Sequence, residues 1–302
     1  MKYISNKEKE FKGIKWDQYC IYLMLFFIPI SAYSQNETTE PTGKAMSKIR
    51  PAYLNIGFGL NISNFRDFAT SPLIYSGKPL YASLAHIDID DKRESHFIVS
   101  YAFGKYRNNF NQHEMISDVN TISLNYLELF QIQKFSNSKF NFKAGGQLNS
   151  TVNFRNNEQL FNNSDGVDII STLFGSVKAT LHLSRKVERH IKFLIINYIA
   201  KKRVRKLSYT LNIGLVNSSY RNGFAYTNPS APLNEDKFFA EYQFRIFSGV
   251  RLSSTLDYTV YLNNKNAIQL SYLWDAYKTG ENHGQFEMAA HVFKCSLLFS
   301  LK

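Results

Sequence analysis

Long apolar runs are absent. Nowhere in the 302 residues do 18 consecutive apolar positions occur, which excludes a membrane protein built from spanning helices. Cysteine is scarce as well: the chain has two, Cys20 and Cys295. Cys20 falls in an N-terminal stretch with the features of a cleaved leader, so one thiol remains after cleavage and an internal disulfide is excluded. Basic residues exceed acidic ones, 36 to 24, but no nucleic-acid motif or helical basic stripe accompanies the excess. Nucleic acid is therefore not an expected partner. Neither a cofactor nor a metal is expected from the spacing of the polar residues.

Aromatic side chains are abundant, 15% of the chain with 25 Phe and 19 Tyr, and they recur with a period of two. Residues 238–262 display this best. The even positions are apolar, aromatic or small, running from Phe238 through Phe244, Ile246, Val250, Leu252 and Leu256 to Leu262, with Ser248 and Ser254 among them. Most odd positions are polar, including Glu241, Arg245, Arg251 and Asp257. Alternation sends successive side chains to opposite faces of an extended strand. At about 3.3 Å per residue the stretch outruns a strand of a globular domain. It also exceeds the roughly 9–11 residues that cross a bilayer. One face is apolar, and the other carries charges that a soluble core would not bury unpaired. A transmembrane β-barrel satisfies both faces, with lipid outside and a polar lumen inside. The mean hydropathy of −0.29 agrees, because half of each strand faces water.

Residues 1–34 read as a secretion signal. Lys2, Lys7, Lys9, Lys12 and Lys15 form a basic region, residues 21–30 form a short apolar core, and Ala32 and Ser34 are spaced for cleavage before Gln35. Removing this segment takes away five basic and three acidic residues, lowering the net charge from +12 to +10. Residues 35–50 are polar and read as a flexible periplasmic lead-in.

From residue 51 to 302 the alternation predicts a single barrel domain. Strands are expected near 52–62, 78–88, 96–106, 119–133, 139–154, 168–184, 207–215, 238–262, 268–274 and 286–301. Ten is an even number that leaves both ends on one side; splitting 238–262 would make twelve. Turns near 91, 135 and 264 are short, whereas the connections near 68, 110, 160 and 228 are longer and rich in Asn, Gly or Pro. That asymmetry is expected between periplasm and exterior. Residues 185–203 break the pattern. Val187, Ile191, Leu194, Ile195, Tyr198 and Ile199 recur at helical spacing between basic clusters, which predicts a short amphipathic helix on the periplasmic face. A longer strand pair, or a plug at the barrel end, is the alternative.

The leader, the alternating strands, the aromatic outer faces and the closing Phe299-Ser300-Leu301-Lys302 together resemble Gram-negative outer-membrane β-barrel proteins. The resemblance is architectural and singles out no one family. It implies an outer-membrane location, contact with outer-membrane lipid, and recognition by the barrel-assembly machinery through the apolar-x-apolar ending. A surface partner protein is a further possibility.

The lumen holds the candidate site residues. Pairing Leu262 with Asn266 sets Arg251 opposite Tyr277 and diagonal to Asp275, with Asp257 opposite Ser271. Glu241, Arg245, Arg251, Asp257 and Asp275 are expected along one inner wall, and Lys139, Lys143, Lys178 and Lys206 across from them. These charges fit either a structural ion-pair network filling a small barrel or a narrow selective pore. No catalytic residue is expected, although two resemblances bear on hydrolysis. His182-Leu183-Ser184 looks like the His-x-Ser of outer-membrane lipid A deacylases, but parity turns both residues inward. Outer-membrane aspartyl-type proteases carry rim acids and histidines. Candidates here are Asp67, His113, Glu114, Asp118, Asp165, Asp168, Glu235, Asp236, Glu281 and His283, which no spacing links. Glu128 sits on the lipid-facing parity, and a β-bulge that turns Leu127 and Leu129 outward in its place is the favoured account. The expected function is a structural, binding or narrow-channel barrel. The alternatives are a rim-active hydrolase or a subunit of a larger surface or secretion complex.

Overall fold

β-branched and aromatic residues on alternating positions favour extended chain, and the computed structural model is almost wholly strand. It describes residues 50–110, 113–157, 159, 165–184, 189–193, 196–200, 203–222, 242–280 and 284–301. Residues 1–49, where the secretion signal and most of the lead-in are expected, and Glu241 lie outside these residues. In chain order the strands are β1 (Ala52–Asp67), β2 (Ser71–Gly77), β3 (Leu80–Ile89), β4 (Arg93–Phe110), β5 (His113–Gln131), β6 (Phe140–Asn156) and β7 (Asp165–His182). There follow β8 (Arg189–Phe193), β9 (Ile196–Ala200), β10 (Arg205–Asn222), β11 (Tyr242–Ile246), β12 (Val250–Tyr261), β13 (Ala267–Thr279) and β14 (Phe286–Ser300).

All but β8 and β9 belong to one antiparallel sheet of twelve segments, which closes on itself where β1 pairs with β14 and β7 with β10. Two staves are each made of two segments. β2 and β3 both lie between β1 and β4, and β11 and β12 both pair with β10. The result is a closed ten-strand antiparallel barrel. The expected count of ten holds and the alternative of twelve does not: the interruption within 238–262 leaves β11 and β12 in one stave, and β2 and β3 share another.

Outward positions form an apolar belt, with Phe58, Leu60, Leu84, Phe97, Leu148, Ile213, Leu270 and Phe293 among its exposed members. Inward positions are mostly polar and buried. Closure removes every free edge that a bilayer would leave unsatisfied, and an apolar exterior around a polar interior is the architecture of an outer-membrane β-barrel.

Two irregularities redirect side chains. The β10–β7 register shifts between Gly214 and Val216. Before the shift Ser208, Thr210 and Asn212 are buried inside; after it the parity changes, and Asn217, Ser219 and Arg221 are buried there instead. Between β11 and β12, Phe247 and Gly249 take φ of 57° and 77°. A Cβ on Gly249 would collide with the Lys278 carbonyl oxygen, so glycine suits the site sterically as well as conformationally. This kink corrects the expectation that Ser248 faces lipid. Its hydroxyl lies inside, 3.0 Å from Ser219 Oγ and 2.7 Å from Thr279 Oγ1.

Two further expectations change. Residues 189–200 contain a two-stranded hairpin of β8 and β9, not an amphipathic helix, which realises the strand-pair alternative. The segment is rich in isoleucine and aromatics, and that composition favours strand over helix even where apolar spacing suggests a helix. The bulge at Glu128 does not form. β5 pairs without a register shift on both sides, Ser95 with Glu128 and Glu128 with Gly146, and Leu127 and Leu129 are buried inside. Glu128 does face outward. It lies near the barrel end, where Arg93 Nε and the Tyr126 hydroxyl donate to it, so no phase shift is needed to compensate the charge.

Candidate functional site in the lumen

The interior is a stack of charged tiers set between apolar layers. At the loop end, Asp67 of β1, Arg155 of β6, Asp168 of β7 and Arg221 of β10 form a ring of alternating sign. Arg155 reaches Asp168 at 2.7 Å and Asp67 at 2.8 Å. Arg221 reaches the same two carboxylates at 2.9 and 2.8 Å. Each guanidinium therefore bridges both acids, and no side chain in the ring exceeds 7% exposure. Two positive and two negative groups cancel, so the burial cost of each ion is offset by charge-assisted hydrogen bonds.

An aromatic layer adjoins the ring. The Phe286 ring centroid lies 5.2 Å from Arg155 Cζ and 4.9 Å from Arg221 Cζ, within cation–π range. Phe65 stacks on Tyr75 and meets Tyr106 edge-on, and Tyr277, Ile170, Val119 and Met288 complete the cluster. Its hydroxyls are satisfied, Tyr106 with Ser63 at 2.6 Å and Tyr277 with Asn153 at 2.9 Å. Ring and aromatic layer together bring buried side chains into the lumen from β1, β2, β4–β7, β10, β13 and β14.

The middle tier is Arg251. Its guanidinium holds Asp275 through two contacts, 3.0 and 2.6 Å. It also crosses the barrel to Asn149 Oδ1 at 2.6 Å and Thr151 Oγ1 at 3.1 Å on β6. The tier nearest Ala52 and Ser300 is Glu94, 1% exposed, which accepts from Lys178, from Lys143 at 3.1 Å, and lies 2.8 Å from His96 Nε2. A smaller apolar cluster of Tyr53, Ala85, Ile87, Ala267 and Leu298 packs at this end.

The candidate residues are distributed as follows. Arg251, Lys143 and Lys178 are buried in the lumen, and Asp275 pairs with Arg251. Asp257 faces inward and accepts from Ser271 at 2.6 Å. Lys206 packs its ammonium 5.5 Å from the Tyr261 ring. Two candidates are corrected. Lys139 precedes β6 and is exposed over Phe140, because the Asn137 turn places it outside the last stave pair. Arg245 lies beyond the Phe247–Gly249 kink and is exposed, bonding Gln243 at 2.7 Å. His182 is half-buried on the inner face and Ser184 is exposed, so the two do not form a lipid-facing pair. Asp165 stays on the surface with Asn156 and Glu114 with Arg107. The side chain of His113, and Glu235, Asp236, Glu281 and His283, lie outside the described residues. Sequence reasoning missed the ring and Glu94, although the inward parity of Asp67, Arg155, Asp168 and Glu94 was present in the pattern.

No protein-family model matches the sequence, and no curated protein matches it. Solved structures to which the chain is similar include the translocator domain of autotransporter NalP from Neisseria meningitidis, at 7% identity over 94% of this chain and 97% of that one, with a TM-score of 0.36. The β domain of the Bordetella autotransporter Brka has 5% identity over 83% and 100%, with a TM-score of 0.34. The CymD monoaromatic hydrocarbon channel has 9% identity over 83% and 89%, with a TM-score of 0.31. No lumen residue is carried over from any of them.

Proposed function

We propose that the chain is a non-enzymatic outer-membrane barrel, closed at its loop end, that works by binding at its loops or inside its lumen rather than as an open pore. In this reading the leader is cleaved, the short turns and both termini face the periplasm, and the longer loops face the exterior. The apolar belt meets outer-membrane lipid, the Phe299-x-Leu301 ending engages the barrel-assembly machinery, and the loops are available to a surface partner.

The observation that supports this reading is the Asp67–Arg155–Asp168–Arg221 ring with Phe286 and Phe65 against it. An aqueous channel would pass through this tier, where the side chains are mutually paired and buried. The same ring weighs against a rim protease. Asp67 and Asp168 are each taken up by two guanidiniums, so neither is a free general base.

Planar-bilayer recording of the refolded mature protein tests the proposal. Wild type is expected to give no discrete conductance steps, and Arg155→Ala/Arg221→Ala/Phe286→Ala, with heat-modifiable folding intact, is expected to give them. Stable discrete steps from wild type would overturn the closed reading in favour of a pore.

A further inference from the structure

Below the aromatic layer the lumen does not stay filled. A cavity of about 190 Å³ extends from Phe174, Tyr277 and Met288 down to Ile87, Leu127 and Lys178. Three properties of its wall bear on what it holds.

The first is charge. Arg251 is paired with Asp275, and Lys178 shares Glu94, just outside the lining, with Lys143. The remaining charges on the wall are Asp257, one of whose oxygens accepts from Ser271, and Lys294. The lining itself carries three cations and two anions, with His96, Tyr81 and Tyr277 as its other titratable groups. Most of these charges already have a partner, so the wall offers a charged ligand little net attraction.

The second is hydrogen-bonding chemistry. The polar lining is dominated by carboxamides and hydroxyls. Asn125, Gln147 and Asn149 are already joined to one another. By contrast the side-chain oxygens of Asn55, Asn61 and Asn212 have no hydrogen-bond partner among the described residues, although these residues are only 3%, 4% and 3% exposed. They come from β1 and β10 and all belong to the cavity wall. A buried carbonyl needs a donor, and here three lie around one space.

The third is shape. Tyr81, Phe174 and Tyr277 contribute aromatic surface to the same wall. The volume is below the about 300–1,000 Å³ of pockets for drug-sized ligands, which limits an occupant to about the size of one sugar ring.

We propose that this chamber is a binding site for a small, uncharged, polyhydroxylated molecule of monosaccharide or cyclitol type. Such a molecule donates hydroxyls to the unpartnered amide oxygens and accepts from the amide and hydroxyl hydrogens. It lays its C–H face on the aromatic side chains and introduces no charge among ions that are mostly paired already. The proposal rests on the closed-barrel reading, since a through-channel would make the chamber a passage.

The test is equilibrium binding to the refolded full barrel by titration calorimetry, using D-glucose, D-galactose and myo-inositol as probes and gluconate and glucosamine as charged controls. Each probe is present during refolding, so that access through the closed end does not limit binding. Saturable binding of at least one neutral probe is expected, at least tenfold tighter than the charged controls. It should fall at least tenfold in Asn61→Leu/Asn212→Leu. Thr255→Val, which alters a lining hydroxyl with little change of volume, serves if the double variant does not fold, with a severalfold loss expected. No saturable binding of any neutral probe would mean that the chamber holds water only, and would overturn the proposal. So would charged controls that bind as tightly, or folded variants that bind as wild type does. The conductance experiment separates the two ideas: a silent barrel that binds no probe loses the chamber alone, and a conducting barrel loses the closure.

Discussion

Arg221 and Asp67 stand 154 residues apart in the chain and 2.8 Å apart in the lumen. Three staves, β12, β13 and β14, separate β10 from β1 on the shorter way round the wall. The contact therefore ties opposite arcs of the barrel, and Asp168 and Arg155 carry the tie on to β7 and β6. Backbone pairing joins neighbouring staves only; these side chains join staves across the lumen.

Removing one acid from the ring should be far more damaging than removing a surface charge. Asp168→Ala leaves two buried guanidiniums facing one carboxylate, and breaking a buried pair in this way costs about 3–5 kcal/mol. Urea unfolding of the barrel in vesicles reads this directly. A double-mutant cycle between Asp67→Ala and Arg221→Ala should give a coupling of about 1 kcal/mol or more. A cycle that sums to zero would mean that the two residues do not interact in the folded barrel.

Glu94 makes the same argument at the other end with the signs reversed. It is the one carboxylate shared by Lys143 and Lys178, so Glu94→Gln leaves two buried ammoniums together. A loss of about 3–5 kcal/mol is expected. The triple change Glu94→Leu/Lys143→Met/Lys178→Met should recover much of it, because a buried ion cluster replaced by apolar groups of similar size is often neutral or better. Unfolding midpoints of the two variants decide the matter.

Much of this architecture was legible in the alternation, and the failures are specific. A period of two located all ten staves. The same parity turns Asp168, at the start of its expected strand, inward, and, extended past the assigned strand ends, Asp67, Arg155 and Glu94 as well; Arg155 and Glu94 were passed over as loop and turn residues, and Asp67 and Asp168 were weighed only as rim acids. Arg221 was hidden for a different reason. It shares the outward parity of Leu207 to Leu215 until the shift at Gly214–Val216 reverses the face, and no single residue there announces a bulge. Ser248 was misplaced by the Phe247–Gly249 kink in the same way. The segment 189–200 misled because isoleucines three and four apart satisfy a helical stripe, while their branching favours the hairpin that forms. The chamber was not legible at all, since it depends on which inward side chains meet across the barrel.

The kink itself is testable. Gly249 has φ of 77° and no room for a Cβ beside the Lys278 carbonyl. Gly249→Ala should destabilise the barrel by about 1–3 kcal/mol, the usual range for backbone strain at a position that requires glycine. Gly146, where the nearest atom to an added Cβ is 3.4 Å away and φ is ordinary, is the control, and Gly146→Ala should be tolerated. Equal losses at the two sites would remove the argument from local geometry.

On the outer wall, Glu128 is expected to be nearly dispensable. Its partners Arg93 and Tyr126 sit beside it near the barrel end, and ion pairs that solvent reaches contribute about 0–1 kcal/mol. Glu128→Leu should therefore shift unfolding by less than about 1 kcal/mol in either direction. A larger loss would assign the carboxylate a role beyond pairing with Arg93.

Cys295 reports on the belt as a whole. It is a free, exposed thiol on the outer face of β14, with Phe293 and Leu297 exposed on either side along the same face. Exposure to lipid and exposure to water predict opposite chemistry for it. In vesicles a charged, water-soluble thiol reagent should leave Cys295 unmodified, while an apolar maleimide that partitions into the bilayer should label it. Both should label it after unfolding. A lumen cysteine placed by Thr255→Cys, facing the chamber instead of lipid, should show the reverse preference for any small polar reagent able to enter. Rapid reaction of Cys295 with the charged reagent in the folded, vesicle-inserted protein would mean that this face meets water, and the assignment of the apolar belt to lipid would fail with it.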